Sequence, residues 1–162
     1  EYNWEEMASR PYVWCKYIWQ WADTPSSIRD EGDRKGINDK GIVTYDRNTR
    51  KDAYYFYQAN WSKTPMLYIA HRRYTQRADA VTDIKVYTNQ QKAVLYVNGQ
   101  KHSSAKNDGL GRIIFKSIEL QEGDNVIRIT SGKLSDECIW NYDSTREEAM
   151  VVNSERLDGS VD

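Results

Sequence analysis

Three acidic residues stand near the start of the chain, Glu1, Glu5 and Glu6. General acid–base chemistry needs carboxylates held on opposite sides of one bond. These three do not suit that task. Asn3 can cap a short helix Trp4–Ser9, putting Glu5 and Glu6 in a first turn where the helix dipole favours negative charge. Adjacent acids on a helix point in different directions, so they read as a solvated helix face. The more suggestive set is aromatic: six Trp and twelve Tyr against two Phe. Trp and Tyr join a flat apolar face to a polar handle, which suits carbohydrate surfaces and domain interfaces alike. Cys15 and Cys138 form neither a metal-ligand spacing nor a disulfide framework, and read as two small buried side chains. No metal constellation stands out, and no cofactor is expected.

The chain has 162 residues, 39% hydrophobic and 29% charged, with a formal net charge of -1. This balance describes a globular protein and supplies no basic excess to neutralise phosphates, so nucleic acid is not the expected partner. No apolar run is long enough to cross a bilayer, so no membrane partner is expected either. The chain opens Glu1-Tyr2-Asn3-Trp4 without Met or a signal-peptide pattern, which reads as a piece of a longer protein, and its compartment is not legible.

Two kinds of element must position these residues. Up to Trp61 the pattern is α/β. The run Tyr12–Trp21 is aromatic, β-branched and nearly uncharged, fitting a buried strand. A polar loop from Asp23 to Lys40 follows, long enough to suggest a function, and Asp23 reads as a residue that orders it. Thr49-x-x-Asp52 reads as a capping box for a helix to Trp61, with Ala53, Tyr54, Tyr57 and Trp61 on one face. One strand, loop and helix cannot bury both faces of a parallel strand, so this part implies missing neighbours and a tendency to self-associate. From Ser62 the period becomes alternating. Strands are predicted at Met66–His71, Thr82–Thr88, Ala93–Val97, Arg112–Phe115, Asn125–Thr130 and Glu137–Trp140, with a hairpin turn at Asn98-Gly99. Short strands at this spacing suggest a small antiparallel sandwich of immunoglobulin type. The tail from Asp143 is charged and aperiodic, and reads as a linker or frayed end.

The strings Tyr17-Ile18-Trp19-Gln20-Trp21-Ala22-Asp23, Glu31-Gly32-Asp33, Gly36-Ile37-Asn38-Asp39-Lys40-Gly41 and Lys51-Asp52-Ala53-Tyr54-Tyr55-Phe56-Tyr57-Gln58-Ala59-Asn60-Trp61 resemble glycoside hydrolase family 2. Bacterial β-galactosidases with an extra C-terminal sandwich are the nearest likeness. The resemblance covers about residues 1–140. It implies that residues 1–61 are the last strand, loop and helix of a catalytic (β/α)8 barrel. Residues 62–141 are then an immunoglobulin-like β-sandwich, and 142–162 a linker or tail. The fold class is thus mixed, a partial barrel followed by an all-β sandwich packed on the missing part of the barrel.

The family mechanism implied is retaining hydrolysis by two glutamates about 5 Å apart, both upstream of this chain. The chain alone therefore contains no catalytic residue. The resemblance makes Trp19 a wall of the sugar subsite, at the strand ends where barrel enzymes react. Trp14 and Trp21 read as packing residues. In β-glucuronidases of the family an Asn-x-Lys at this loop recognises the sugar carboxylate, and Asn38-Asp39-Lys40 matches it. The expected partner is thus a carbohydrate: a β-galactoside as the first expectation, a β-glucuronide as the alternative. A different class, a non-catalytic sandwich that binds glycan or braces the barrel, also fits; Tyr68, Tyr87 and Tyr96 at alternating strand positions favour bracing.

Overall fold

The computed structural model describes residues 1–28 and 35–146. Its elements are helices α1 (Tyr2–Ala8) and α2 (Asp52–Trp61) and ten strands. These are β1 (Thr24–Pro25), β2 (Ile37–Asn38), β3 (Leu67–Ile69), β4 (Gln76–Arg77), β5 (Val81–Thr88), β6 (Lys92–Val97), β7 (Gln100–Lys106), β8 (Arg112–Glu119), β9 (Gly123–Ser131) and β10 (Leu134–Tyr142).

Strands β3 to β10 make a two-layer β-sandwich, one sheet ordered β4-β10-β9-β6-β7 and the other β3-β5-β8. All pairings are antiparallel except β4 with β10. Alternation creates the core. Ile84 and Val86 of β5 stand opposite Phe115 and Ile113 of β8, and Leu95 of β6 stands opposite Ile129 of β9. All are buried between the sheets with Ile127 and Trp140. The Asn98-Gly99 turn forms as expected: Val97 pairs with Gln100, and both turn residues have positive φ, which Gly accepts without steric cost.

Two departures in the sandwich have a clear origin. Strand β8 runs past the expected Phe115 to Glu119, because the register shifts opposite Thr82 and Ile84. Ser117 takes a positive φ, and the inward set changes from Ile113 and Phe115 to Ile118 and Leu120. A bulge of this kind adds one residue and flips the alternation. Strand β7 was not expected at all. Its sequence, Gln-Lys-His-Ser-Ser-Ala-Lys, is polar because it is an edge strand.

The three-stranded sheet is covered on both faces. Tyr68 of β3 pairs with Tyr87 of β5, which pairs with Arg112 of β8, so these three share the face turned away from the core. Helices α1 and α2 lie on it, packing Trp4, Phe56 and Ala59 against Tyr68, Tyr87 and Met66. Glu1 fastens α1 in place. Its carboxylate accepts from the Tyr87 hydroxyl at 2.5 Å, from Lys85 at 3.0 Å and from Arg112 at 3.1 Å. Glu5 also pairs with Arg112, and Glu6 pairs with Arg10 at 2.5 Å. Glu1 and Glu5 are therefore anchors to the sheet, not the solvated face expected from helix position alone.

Both helix caps differ from expectation. Helix α1 has Glu1 at its N-cap instead of Asn3, without a side-chain capping bond. Helix α2 has Lys51 there, and no capping box forms. Thr49 instead closes a turn with Thr44, and Asp52 faces the sandwich, accepting from the Tyr68 hydroxyl at 2.9 Å and the His71 N–H at 2.6 Å. The buried face of α2 is accordingly Asp52, Phe56 and Ala59, while Tyr54, Tyr57 and Trp61 turn toward the open side.

The expected strand Tyr12–Trp21 does not form. Among the described residues its pairing begins at Gln20, whose carbonyl accepts from the Ile42 N–H, and continues through a parallel bridge between Ala22 and Val43. A strand needs a partner along its length, and this short neighbour serves residues 20–23 alone. Tyr12, Trp14, Tyr17 and Trp19 are exposed, Trp14 at 91%, so Trp14 does not pack as expected. The cysteines are free and half-buried rather than fully buried, and burial pushes the Cys138 thiol up to about 12. The acidic loop motif at 31–33 and the tail beyond Arg146 lie outside the described residues.

Candidate functional site

The loop bearing Asn38 and Lys40 is held from beneath by a buried ion pair. Lys51 is 1% exposed and Asp23 3%, and they meet at 2.7 Å. Lys51 Nζ also donates to the Asp39 carbonyl at 2.7 Å, while Asp23 accepts from the Gly41 N–H at 3.0 Å. The Lys51 N–H bonds the Ile42 carbonyl, and the Asp23 N–H bonds the Val43 carbonyl. One cation thus joins the start of α2, the end of the aromatic run and the returning loop. Burying two charges is costly unless they pair and find further hydrogen bonds, and here the pair is supplemented by the Asp39 carbonyl and the Gly41 N–H. Gly41 is required by close approach: a Cβ would lie 2.1 Å from the Asp23 nitrogen. Asp23 therefore orders the loop, as its sequence position suggested.

Above this base the loop is a narrow hairpin. Thr24 pairs with Asn38 and Pro25 with Ile37, and the Ser26 N–H bonds the Gly36 carbonyl at 2.8 Å. The backbone N–H of Lys40 donates to Asn38 Oδ1 at 3.2 Å, a local turn contact that fixes the Asn38 side chain and leaves the Lys40 ammonium out of it. Lys40 is exposed and Asn38 half-buried. Trp19 joins this frame through backbone, one residue before Gln20, and its ring is 84% exposed. The Trp19–Gln20 peptide is cis. A flat ring face, an amide and an ammonium are the groups that a polyhydroxylated, negatively charged ligand calls for, and Trp19, Asn38 and Lys40 supply one of each.

Two features escaped the sequence reading. Lys51 was legible only as part of a family string, although a cation at a helix N-terminus opposes the dipole and so signals a buried partner. The second is an apolar groove of about 370 Å³ lined by Ile18, Trp21, Ile42, Tyr54, Tyr57 and Trp61. Trp21 meets Tyr54 edge-on at 5.9 Å there, so it does pack, though only along one edge of the groove. Among the described residues no group of three or more His, Cys, Asp or Glu is arranged for a metal ion. No described helix is long and apolar enough to cross a membrane.

No family model matches the chain. It is 43% identical over 148 residues to a β-glucuronidase of Bacteroides fragilis, covering 89% of this chain and 21% of that protein. Among solved structures it is similar to an FMN-binding β-glucuronidase from Facaelibacterium prausnitzii, with 38% identity and a TM-score of 0.81. That match covers 90% of this chain and 22% of the other. It is also similar to a putative β-galactosidase from Bacteroides fragilis, with 33% identity, a TM-score of 0.84, and 93% and 23% covered. The proteins it resembles are thus named as glycosidases, and the chain spans about a fifth of their length. The names of the more similar relatives, β-glucuronidase, favour the alternative expectation over the first one, a galactosidase.

Proposed function

We propose that this chain is the C-terminal piece of a retaining β-glucuronidase of glycoside hydrolase family 2. It supplies the sugar-subsite wall and the carboxylate reader, while the acid and nucleophile lie in the rest of the longer protein. Residues 1–61 complete its (β/α)8 barrel, and residues 62–141 form an immunoglobulin-like domain. The observation that carries the sugar choice is the Asn38–Lys40 pair on its braced hairpin. Lys40 supplies charge to the uronate carboxylate and Asn38 Nδ2 a hydrogen bond, while Trp19 lies along the ring. The name of the 43% identical relative supports the same choice. The sandwich acts as a brace, a reading supported by the aromatic packing of α1 and α2 on its three-stranded sheet.

The test is Lys40→Ala in the full-length enzyme, assayed on nitrophenyl glucuronide and nitrophenyl galactoside. A charge-assisted hydrogen bond is worth about 1.5–3 kcal/mol, so kcat/KM on the glucuronide should fall roughly ten- to a hundredfold. Any slow galactoside hydrolysis should change little, because neutral galactose offers no carboxylate. Equal losses on both substrates would assign Lys40 to loop order and remove the glucuronate reading.

A further inference from the structure

A second hollow, of about 600 Å³ and sharing no residue with the Trp19 loop, lies where the C-terminal end of α2 meets the β5–β6 and β7–β8 turns. Three asparagines make it rigid. Asn107 Nδ2 donates to the carbonyls of Thr88 at 2.8 Å and Gln90 at 3.1 Å, tying the two turns together. Asn89 Nδ2 donates to the carbonyls of Ser62 and Thr64, and Asn60 Nδ2 to that of Leu110. The frame is therefore preorganised before any ligand arrives, which lowers the ordering cost of binding.

The charges on its rim are unusual. Lys92 of β6 stands directly opposite Lys106 of β7, and both line the hollow. Like charges in a directly opposed pair repel. Neither ammonium has an ion pair or hydrogen bond among the described residues. Lysines often guard a sheet edge, and Lys106 lies on the edge strand β7. That role does not account for Lys92, which lies on the inner neighbour β6. Beside them Gln90 uses its Nε2 on Asn89, leaving its Oε1 as an acceptor.

We propose that this hollow is a second binding site, for a small saccharide carrying one oxyanion. The two ammonium groups clamp the anion, and the amide carbonyl of Gln90 accepts from a sugar hydroxyl. The site is independent of the catalytic reading, since it shares no residue with the Trp19 loop. A carboxylate and a phosphate present the same chemistry to a lysine pair, so the sources are separated by experiment. The ¹⁵N-labelled chain is titrated with glucuronate, glucose 6-phosphate, glucose and acetate, following the side-chain amides of Asn89, Gln90 and Asn107 and the backbone at Lys92 and Lys106. We expect saturable shifts there with one or both charged sugars, and binding at least about tenfold weaker with glucose or acetate. The stronger of the two charged sugars identifies the natural oxyanion. Lys92→Ala/Lys106→Ala, shown by its dispersed spectrum to be folded, should lose the shifts, and added salt should weaken them in the unaltered chain. Absence of shifts at tens of millimolar, equal response to glucose, or shifts unchanged in the double variant or by salt would overturn the site.

Discussion

Lys51 stands where the dipole of α2 repels a cation, yet it is buried and pinned between Asp23 and the Asp39 carbonyl. Its removal would leave Asp23 buried without its cation, which typically costs about 3–5 kcal/mol. Lys51→Ala should therefore destabilise the chain by several kcal/mol in urea unfolding, whereas Asp23→Asn/Lys51→Met should cost clearly less than the sum of its parts. Additive losses would show that the two side chains do not act as a unit. Trp19 is the contrasting case. Its ring is exposed, so Trp19→Ala should leave the free energy of unfolding within about 0.5 kcal/mol of the unaltered chain while damaging the full-length enzyme on any glycoside. An enzyme indifferent to this change would remove Trp19 from the sugar subsite. The pattern Asn38-x-Lys40 was readable because its spacing is local. The brace beneath it was not, because Asp23 and Lys51 lie 28 residues apart and only the fold brings them together.

At the scale of elements, legibility followed alternation. Strands with an apolar side every second residue, such as Ile84 and Val86 or Ile127 and Ile129, were recognisable, as was the Asn98-Gly99 turn. The polar edge strand β7 and the bulge at Ser117 broke that period and were missed. The capping of α1 was misplaced because its fastener is tertiary: Glu1 reaches across to Tyr87, Lys85 and Arg112. This contact has a pH signature. Burial works to raise the Glu1 carboxyl, but the bonds from Tyr87, Lys85 and Arg112 outweigh it and hold it below its usual value. A carboxyl lowered in the folded state stabilises docking above its ordinary value, and that contribution is lost as pH falls through the lowered one. Trp4 sits on α1 against Phe56 and Tyr57, so its fluorescence should report undocking on acidification below the usual carboxylate range. Glu1→Gln should weaken docking at neutral pH and flatten this acid transition. An identical transition in both would assign it to other carboxylates.

The whole molecule divides by what covers its aromatic residues. Tyr68, Tyr87 and Trp140 are buried in or beneath the sandwich, whereas Tyr12, Trp14, Tyr17 and Trp19 run along a segment that has no strand partner among the described residues before Gln20. Under the proposed reading this segment is the last barrel strand, waiting for neighbours that belong to the rest of the enzyme, which explains why its sequence looks buried while its side chains are not. Exposed apolar runs of this size favour association. Chymotrypsin, which cuts after aromatic residues, tests the division directly. Cleavage of an opened segment follows the free energy of opening, and a segment outside regular structure opens at little cost, while the sandwich must unfold to be cut. In dilute solution the first cuts should fall after Tyr12, Trp14, Tyr17 or Trp19, leaving a resistant product that contains β3 to β10. Raising the concentration should slow those first cuts if copies cover the segment by self-association, and the apparent mass in sedimentation should rise in step. Cleavage that begins after Tyr68, Tyr87 or Trp140 would mean that the sandwich is not the stable part of the chain, and the brace assigned to it would fall with that result.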